Sequence, residues 1–336
     1  MSQTEQSIDR RELIQLQKKR AKRRKQAKRR LLFLIFIIFA LGFLAGFLVG
    51  SRKEHTLNFT MSSETPETPF TKPANLPWNL ELVNFQYPLD KDFAPSSLAD
   101  INNGYEADSR IARAAKYMIE DAASENVRIL TVSAYRDYDY QQELFNNKVH
   151  SLQKEHGYSV SKAQQEAATV VAAPGTSEHQ LGLAQDVLCD NYRLLNSGFL
   201  DTEEGKWLYE NCHRFGFIVR YKKEWSSITG YSAEPWHFRY VGVSHATAIS
   251  ALDVPYETYA EKAKLLPEYI LTHGNACLLY YVIDDALHGD GSLYAQVCAM
   301  QTDDMQQQAR NIVDITDKVR PENVSLQDAI RNQGVK

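Results

Sequence analysis

Residues 177–186 read SEHQLGLAQD, and residues 234–237 read EPWH. A catalytic zinc needs three nitrogen or oxygen ligands and one open position for water. His179, Asp186 and His237 supply such a set, two imidazoles and a carboxylate. Gly182 lets the chain turn, so that a histidine before it and an aspartate on the next strand can converge. His237, opening another strand, can complete the site from an adjacent rung. Glu234 stands three residues before His237, beside Pro235, which sets the local turn. A carboxylate near the metal water, but not bound to the metal, suits the general base of a hydrolysis. Arg136 follows the β-rich run VRILTVS at 127–133, and its permanent charge suits a substrate carbonyl oxyanion or a terminal carboxylate.

Outward from these segments the pattern alternates irregularly. Apolar spacing predicts a helix over 108–123 with Asp108 as its cap, and a strand over 127–133. A second helix is expected from 137 to about 150. A third is expected over 161–172, opened by the S-x-x-Q capping form at Ser161 and stopped at Pro174-Gly175. Residues 183–189 alternate as a strand. A helix over 202–215 takes Thr202 as its cap. Strands are expected over 217–221 and 237–241, and helices over 244–252 and 256–271. Strands and helices mix without a βαβ rhythm, so the fold class is α+β. Residues 272–336 carry no chemical motif, and the pattern leaves a short helical appendage and a partly disordered tail both open.

The flanking sequence sets the expected location. Residues 31–50, LLFLIFIIFALGFLAGFLVG, run twenty positions without a charge, which as a helix matches a bilayer core of about 30 Å. Ten of the thirteen residues at 18–30 are Lys or Arg. Positive charge stays cytoplasmic, so the N-terminus is expected inside and residues 51–336 outside, on an uncleaved single-pass signal anchor. Residues 1–53 carry a net charge of +11 and the remainder −15. The acidic bulk repels nucleic acid, which excludes that partner class. Residues 51–77, rich in Thr, Ser, Pro and Glu, read as a flexible stalk. The expected order is therefore a basic cytoplasmic segment 1–30, a membrane helix 31–50, a stalk 51–77, a folded domain 78–271 and an extension 272–336. The seven other histidines lack ligand spacing and read as structural or exposed. The four cysteines form no C-x-x-C motif. Outside the cytoplasm, Cys189 with Cys212 and Cys277 with Cys298 is the simplest pairing, and free buried thiols are the alternative.

The pattern S-x-H-x-x-G-x-A-x-D at 177–186 followed by E-P-W-H at 234–237 resembles the zinc D-Ala-D-Ala carboxypeptidases of the VanY type. These sit in the wider group with lysostaphin-like and hedgehog-like folds. PGTSEH at 174–179 and SAYRDYDYQQ at 133–142 also match VanY-type proteins. The resemblance covers about 78–271 and implies a small central antiparallel sheet with flanking helices. It implies that His179, Asp186 and His237 bind zinc, that Glu234 is the base and that Arg136 stabilises the transition state. Ser177 and Gln141 match family positions lining the substrate cleft. Tyr135 and Trp236 belong to the cleft wall or to the packing beneath it.

The implied activity is removal of the C-terminal D-Ala from peptidoglycan stem peptides. An L,D-carboxypeptidase or a D,D-dipeptidase would use the same metal core. A non-catalytic wall-binding module that keeps the fold, or an adhesion protein dominated by stalk and tail, are the readings of another class; an intact ligand set and base speak against them.

Overall fold

The computed structural model describes residues 76–300 and Gln307. The basic segment 1–30, the apolar run 31–50, most of the stalk and most of the tail beyond 300 lie outside the described residues. Among the described residues no helix is long and apolar enough to cross a membrane.

After a short helical turn at Trp78–Leu80 comes a hairpin, β1 (Leu98–Asn102) and β2 (Tyr105–Asp108). Its turn residues Asn103 and Gly104 both take positive φ, 55° and 80°, the geometry that Asn-Gly favours in two-residue turns. No strand is expected here from the sequence pattern, although that dipeptide marks a hairpin. Helix α1 (Ser109–Ser124) follows, with the Asp108 carboxylate accepting from the Arg110 amide as expected. Strand β3 (Ile129–Ser133) leads into helix α2 (Tyr138–His156), capped by Asp137. Helix α3 (Val160–Ala168) starts earlier than expected, because Ser159 rather than Ser161 accepts from the Lys162 amide; it also ends four residues before residue 172. Then come β4 (Ala184–Cys189), α4 (Glu203–Asn211, capped by Thr202), β5 (Phe217–Tyr221), the single turn α5 (Ser226–Thr229) and β6 (Glu234–Tyr240). Helices α6 (Val243–Leu252), α7 (Tyr256–Ala263), α8 (Glu268–His273), α9 (Ala276–His288) and α10 (Ser292–Cys298) complete the described chain. The single helix expected over 256–271 is two, because Pro267 cannot donate to the preceding turn and instead caps the second.

The main sheet has the order β3-β4-β6-β5, antiparallel throughout, with the two-stranded β1-β2 sheet beside it. This is the expected α+β arrangement of small antiparallel sheets with flanking helices. Strand β4 is buried at every one of its six positions. One apolar cluster joins α1 and α4 to the sheet through Ile111, Met118, Val187, Leu208 and Phe238. A second joins Leu80, Ile218 and Val241 to α6, α7, α9 and α10. In it Leu278, Leu279, Val282 and Ile283 are fully buried. The segment after residue 271 is thus helical to Cys298 and shares a core with the strands. His245 helps to close this cluster, bonded to the Tyr259 hydroxyl and the Leu271 carbonyl, both at 2.7 Å.

All four cysteines are free, so the pairing of 189 with 212 and of 277 with 298 does not form. Cys189 and Cys212 are separate members of the first apolar cluster, and burial pushes the Cys212 thiol up to about 12.

Two outcomes test this packing. Leu279→Ala should cost about 2–5 kcal/mol in denaturant unfolding, because a fully buried leucine leaves a cavity; a loss near zero would detach α9 from the core. Gly182 has φ of 69°, and a Cβ there would meet the Asp108 amide nitrogen at 2.8 Å. Gly182→Ala should therefore lower stability by about 1–3 kcal/mol or more, read in the same unfolding measurement.

Candidate active site

The site is built on the register of β4 against β6. Asp186 pairs directly with His237 across the two strands, which sets their side chains side by side. His179 enters from the turn before β4. That turn is closed by the Gly182 amide donating to the His179 carbonyl, 3.0 Å, and it is anchored to the hairpin by the Asp108 amide donating to the Gly182 carbonyl, 3.0 Å. The three side chains are almost completely buried. One ligand atom from each lies within 4.8 Å of the others.

The hydrogen bonds at the far side of each imidazole decide which nitrogen faces inward. His179 Nδ1 donates to the Ala134 carbonyl at 2.6 Å, which leaves Nε2 as the free lone pair. His237 Nε2 donates to Glu178 Oε2 at 3.2 Å, which leaves Nδ1. These inner nitrogens stand 3.4 and 3.3 Å from Asp186 Oδ1. His179 Nε2 and Asp186 Oδ1 are buried and have no hydrogen-bond partner. Buried polar atoms without partners are costly, and a cation shared by the two nitrogens and the carboxylate would satisfy them. The donor set therefore fits a divalent metal with a fourth position left open.

The surrounding charges are arranged for that. Burial raises the Asp186 carboxyl, but His179, His237 and Arg136 outweigh it and hold the group well below the usual carboxylate range. Burial and the Arg136 charge push His179 down to about 4, so its lone pair is available for a metal at neutral pH. Burial lowers His237, but the Asp186 and Glu178 carboxylates outweigh it and raise the ring to about 9, so in the metal-free protein Nδ1 holds a proton that a bound cation would displace. Glu234 Oε2 lies 3.7 Å from His237 Nδ1. Burial pushes its carboxyl up to about 7, against the His237 and Arg136 charges and with help from Asp186 and Glu178.

Arg136 follows β3, its amide bonded to the His179 carbonyl at 3.3 Å, and its side-chain Nε is buried without a partner. Arg136, Ser177, Glu234 and Trp236 line one cleft with the three candidate ligands, about 610 Å³ in volume. Gln141 lines it as well: its Nε2 donates to the Ala172 carbonyl at 2.7 Å, while its Oε1 is buried and unpartnered. Ser177 Oγ accepts from the His179 amide at 3.3 Å, so it also supports the ligand turn. Tyr135 is not among the residues lining the cleft, and its amide bonds back to the Glu106 carbonyl. Glu178, Tyr221 and Tyr231 carry no role expected from the sequence. All three line the cleft, and a carboxylate adjoining a candidate ligand is the signal that points to Glu178.

The family model described as VanY, D-alanyl-D-alanine carboxypeptidase, matches residues 105–243. A D-alanyl-D-alanine carboxypeptidase of Enterococcus faecalis (strain ATCC 700802 / V583) is 40% identical over 187 residues, 56% of this chain and 67% of that protein. The bifunctional D-Ala-D-Ala dipeptidase and D-Ala-D-Ala carboxypeptidase VanXYC of Enterococcus gallinarum is 33% identical over 186 residues, 54% of this chain and 92% of that protein. Among solved structures, VanYB in complex with D-Alanine-D-Alanine matches with a TM-score of 0.50 and 39% identity, covering 55% of this chain and 98% of that one.

The raised Glu234 carboxyl carries a stability consequence. Its folded pKa lies above the ordinary 4.5, so its contribution is present below pH 4.5 and lost as the pH rises through about 7. Glu234→Gln should stabilise the metal-free protein by about 1–3 kcal/mol at pH 8 and by little at pH 5. Urea melts at the two pH values measure this; equal shifts at both would remove the charge as the cause.

Proposed function

Because this chain belongs to the VanY family of D-alanyl-D-alanine carboxypeptidases and is a hydrolytic enzyme of that kind, we propose that it is a zinc-dependent D,D-carboxypeptidase that trims peptidoglycan stem peptides. The observation that carries this reading is the buried meeting of His179 Nε2, His237 Nδ1 and Asp186 Oδ1, with the Glu234 carboxylate alongside. These three residues would hold the zinc. When bound, the ion supplies Lewis acidity to a substrate carbonyl and to water.

The chain's own groups do the rest. Glu234, with a carboxyl near neutrality, takes the proton of the attacking water and returns it to the leaving amine of D-Ala. Arg136, its Nε lacking a protein partner, faces the charge that develops on the carbonyl oxygen or the terminal carboxylate. Gln141 Oε1, also unpartnered, accepts a substrate N–H. Ser177 and Trp236 hold the turn and the wall around these groups. The cleft follows α2 from Gln141 to Ser151, about 15 Å at the helical rise, which accommodates about four extended residues. That length supports a stem peptide over a free dipeptide.

The apolar run 31–50 and the basic block before it support a single-pass anchor with residues 51–336 outside the membrane, where stem peptides are reached.

Incubating the full-length chain with penta- and tetrapeptide stems and weighing the products tests the reaction. Loss of one D-Ala from the pentapeptide alone is expected. Loss from the tetrapeptide would make the enzyme an L,D-carboxypeptidase, and release of D-Ala-D-Ala a dipeptidase. Binding without release, zinc present, would leave a wall-binding module. Glu234→Gln should keep about one zinc per chain while kcat falls about 10²–10⁴-fold; near-wild-type turnover would take Glu234 out of this role. Chelation of the metal should abolish turnover and zinc should restore it.

A further inference from the structure

Glu178 is a carboxylate with no exposed side-chain surface, held between three cationic or proton-donating groups. Its Oε1 accepts from Arg220 Nε at 2.8 Å and from Arg239 Nη1 at 2.9 Å, and its Oε2 accepts from His237 Nε2 at 3.2 Å. Both guanidinium groups are fully buried too. Arg220 turns its other two nitrogens onto the carboxylate of Glu257 on α7, at 2.9 and 2.5 Å. Arg239 donates Nη2 to the Glu81 carbonyl at 2.8 Å and to the Asn79 carbonyl at 3.2 Å, and Nε to the Tyr240 carbonyl at 3.0 Å. The ring of Tyr256 lies 5.4 and 5.3 Å from the two guanidinium carbons.

Burying two carboxylates and two guanidiniums costs several kcal/mol per ion before their mutual attraction is counted. An apolar cluster would give stability at least as well, so the network is better explained by what it orients. It meets the candidate ligands where Glu178 Oε2 accepts from His237 Nε2. A proton held on Nε2 leaves Nδ1 as the metal-facing atom, as outer carboxylates do for ligating histidines generally. The two arginines fix the carboxylate so that one oxygen is always presented to the ring. Arg220 reaches Glu178 from the irregularity in β5 between Val219 and Tyr221, the kind of bulge that re-aims a side chain. Glu257 balances the second guanidinium. Without it, two positive charges would compete for one carboxylate beside a site meant for a dication.

We propose that Glu178 is the positioning residue for His237 and that Glu257, on a helix beyond the 105–243 family match, braces it through Arg220. This rests on the metal reading given above. The test is zinc affinity of the full-length chain, measured by competition with a chromophoric chelator at neutral pH, alongside the melting temperature of the metal-free protein. Glu178→Gln should weaken zinc binding about 10–100-fold, and Glu257→Gln, which touches no ligand, about 2–30-fold. A purely structural network would lower the metal-free melting temperature and leave zinc affinity within twofold; that result overturns the inference. If Glu178→Gln does not fold, Glu257→Gln decides alone. In the zinc-loaded wild type, nitrogen spectra of the histidine rings should show His237 coordinated through Nδ1 with Nε2 protonated, and coordination through Nε2 would also overturn it. A wild-type chain that takes up no zinc overturns the underlying metal reading instead, so the two failures are distinct.

Discussion

The pairing of Asp186 with His237 across β4 and β6 is the constraint on which the site depends. Two of its three candidate ligands are neighbours only because the antiparallel register places them opposite one another. A slip of one residue would carry one of them to the other face of the sheet. The observed register sets Ala184 against Arg239, Gln185 against Phe238 and Asp186 against His237, on a strand β4 that is buried throughout. Gly182 then brings His179 to the same place, because the positive φ it adopts turns the chain sharply before the strand begins.

Around that pair the protein gathers charge in its interior and balances it locally. Asp186 is held ionised, His179 is held neutral and Glu234 sits near neutrality, three settings produced by neighbours rather than by the side chains themselves. Burial acts on all of them; it prevails at His179 and Glu234 over the opposite charge beside them, and at Asp186 it is outweighed by the neighbouring positive groups. A proton acceptor poised at neutral pH next to a metal-ready pocket is what a water-activating hydrolase requires. The same balance extends outward through Glu178, Arg220, Arg239 and Glu257, so the site and the body behind it form one charged network.

That network also connects the two apolar clusters. Arg239 reaches back to the segment around Asn79 and Glu81, and Arg220 reaches forward to α7. The helices past residue 271 pack into the cluster that α7 belongs to, and so stand behind the site they never touch.

Much of this was legible in the residues. The α+β class, most caps and the trio His179, Asp186, His237 follow from periodicity, capping chemistry and ligand type, which are local properties. Local signals also mislead: Ser161 matches the capping form while Ser159 holds the cap, and a single helix over 256–271 ignores the break that Pro267 imposes. The hairpin turn at Asn103-Gly104 is a local signal too, since that dipeptide suits two positive φ angles. The orientation of each imidazole, the free state of the cysteines and the burial of Glu178 were beyond the sequence, because each depends on residues more than twenty positions apart meeting in space or failing to. The chain by itself determined which groups could bind a metal and move a proton; the tertiary structure decided which atoms face inward, since burial and neighbouring charge are set only by packing.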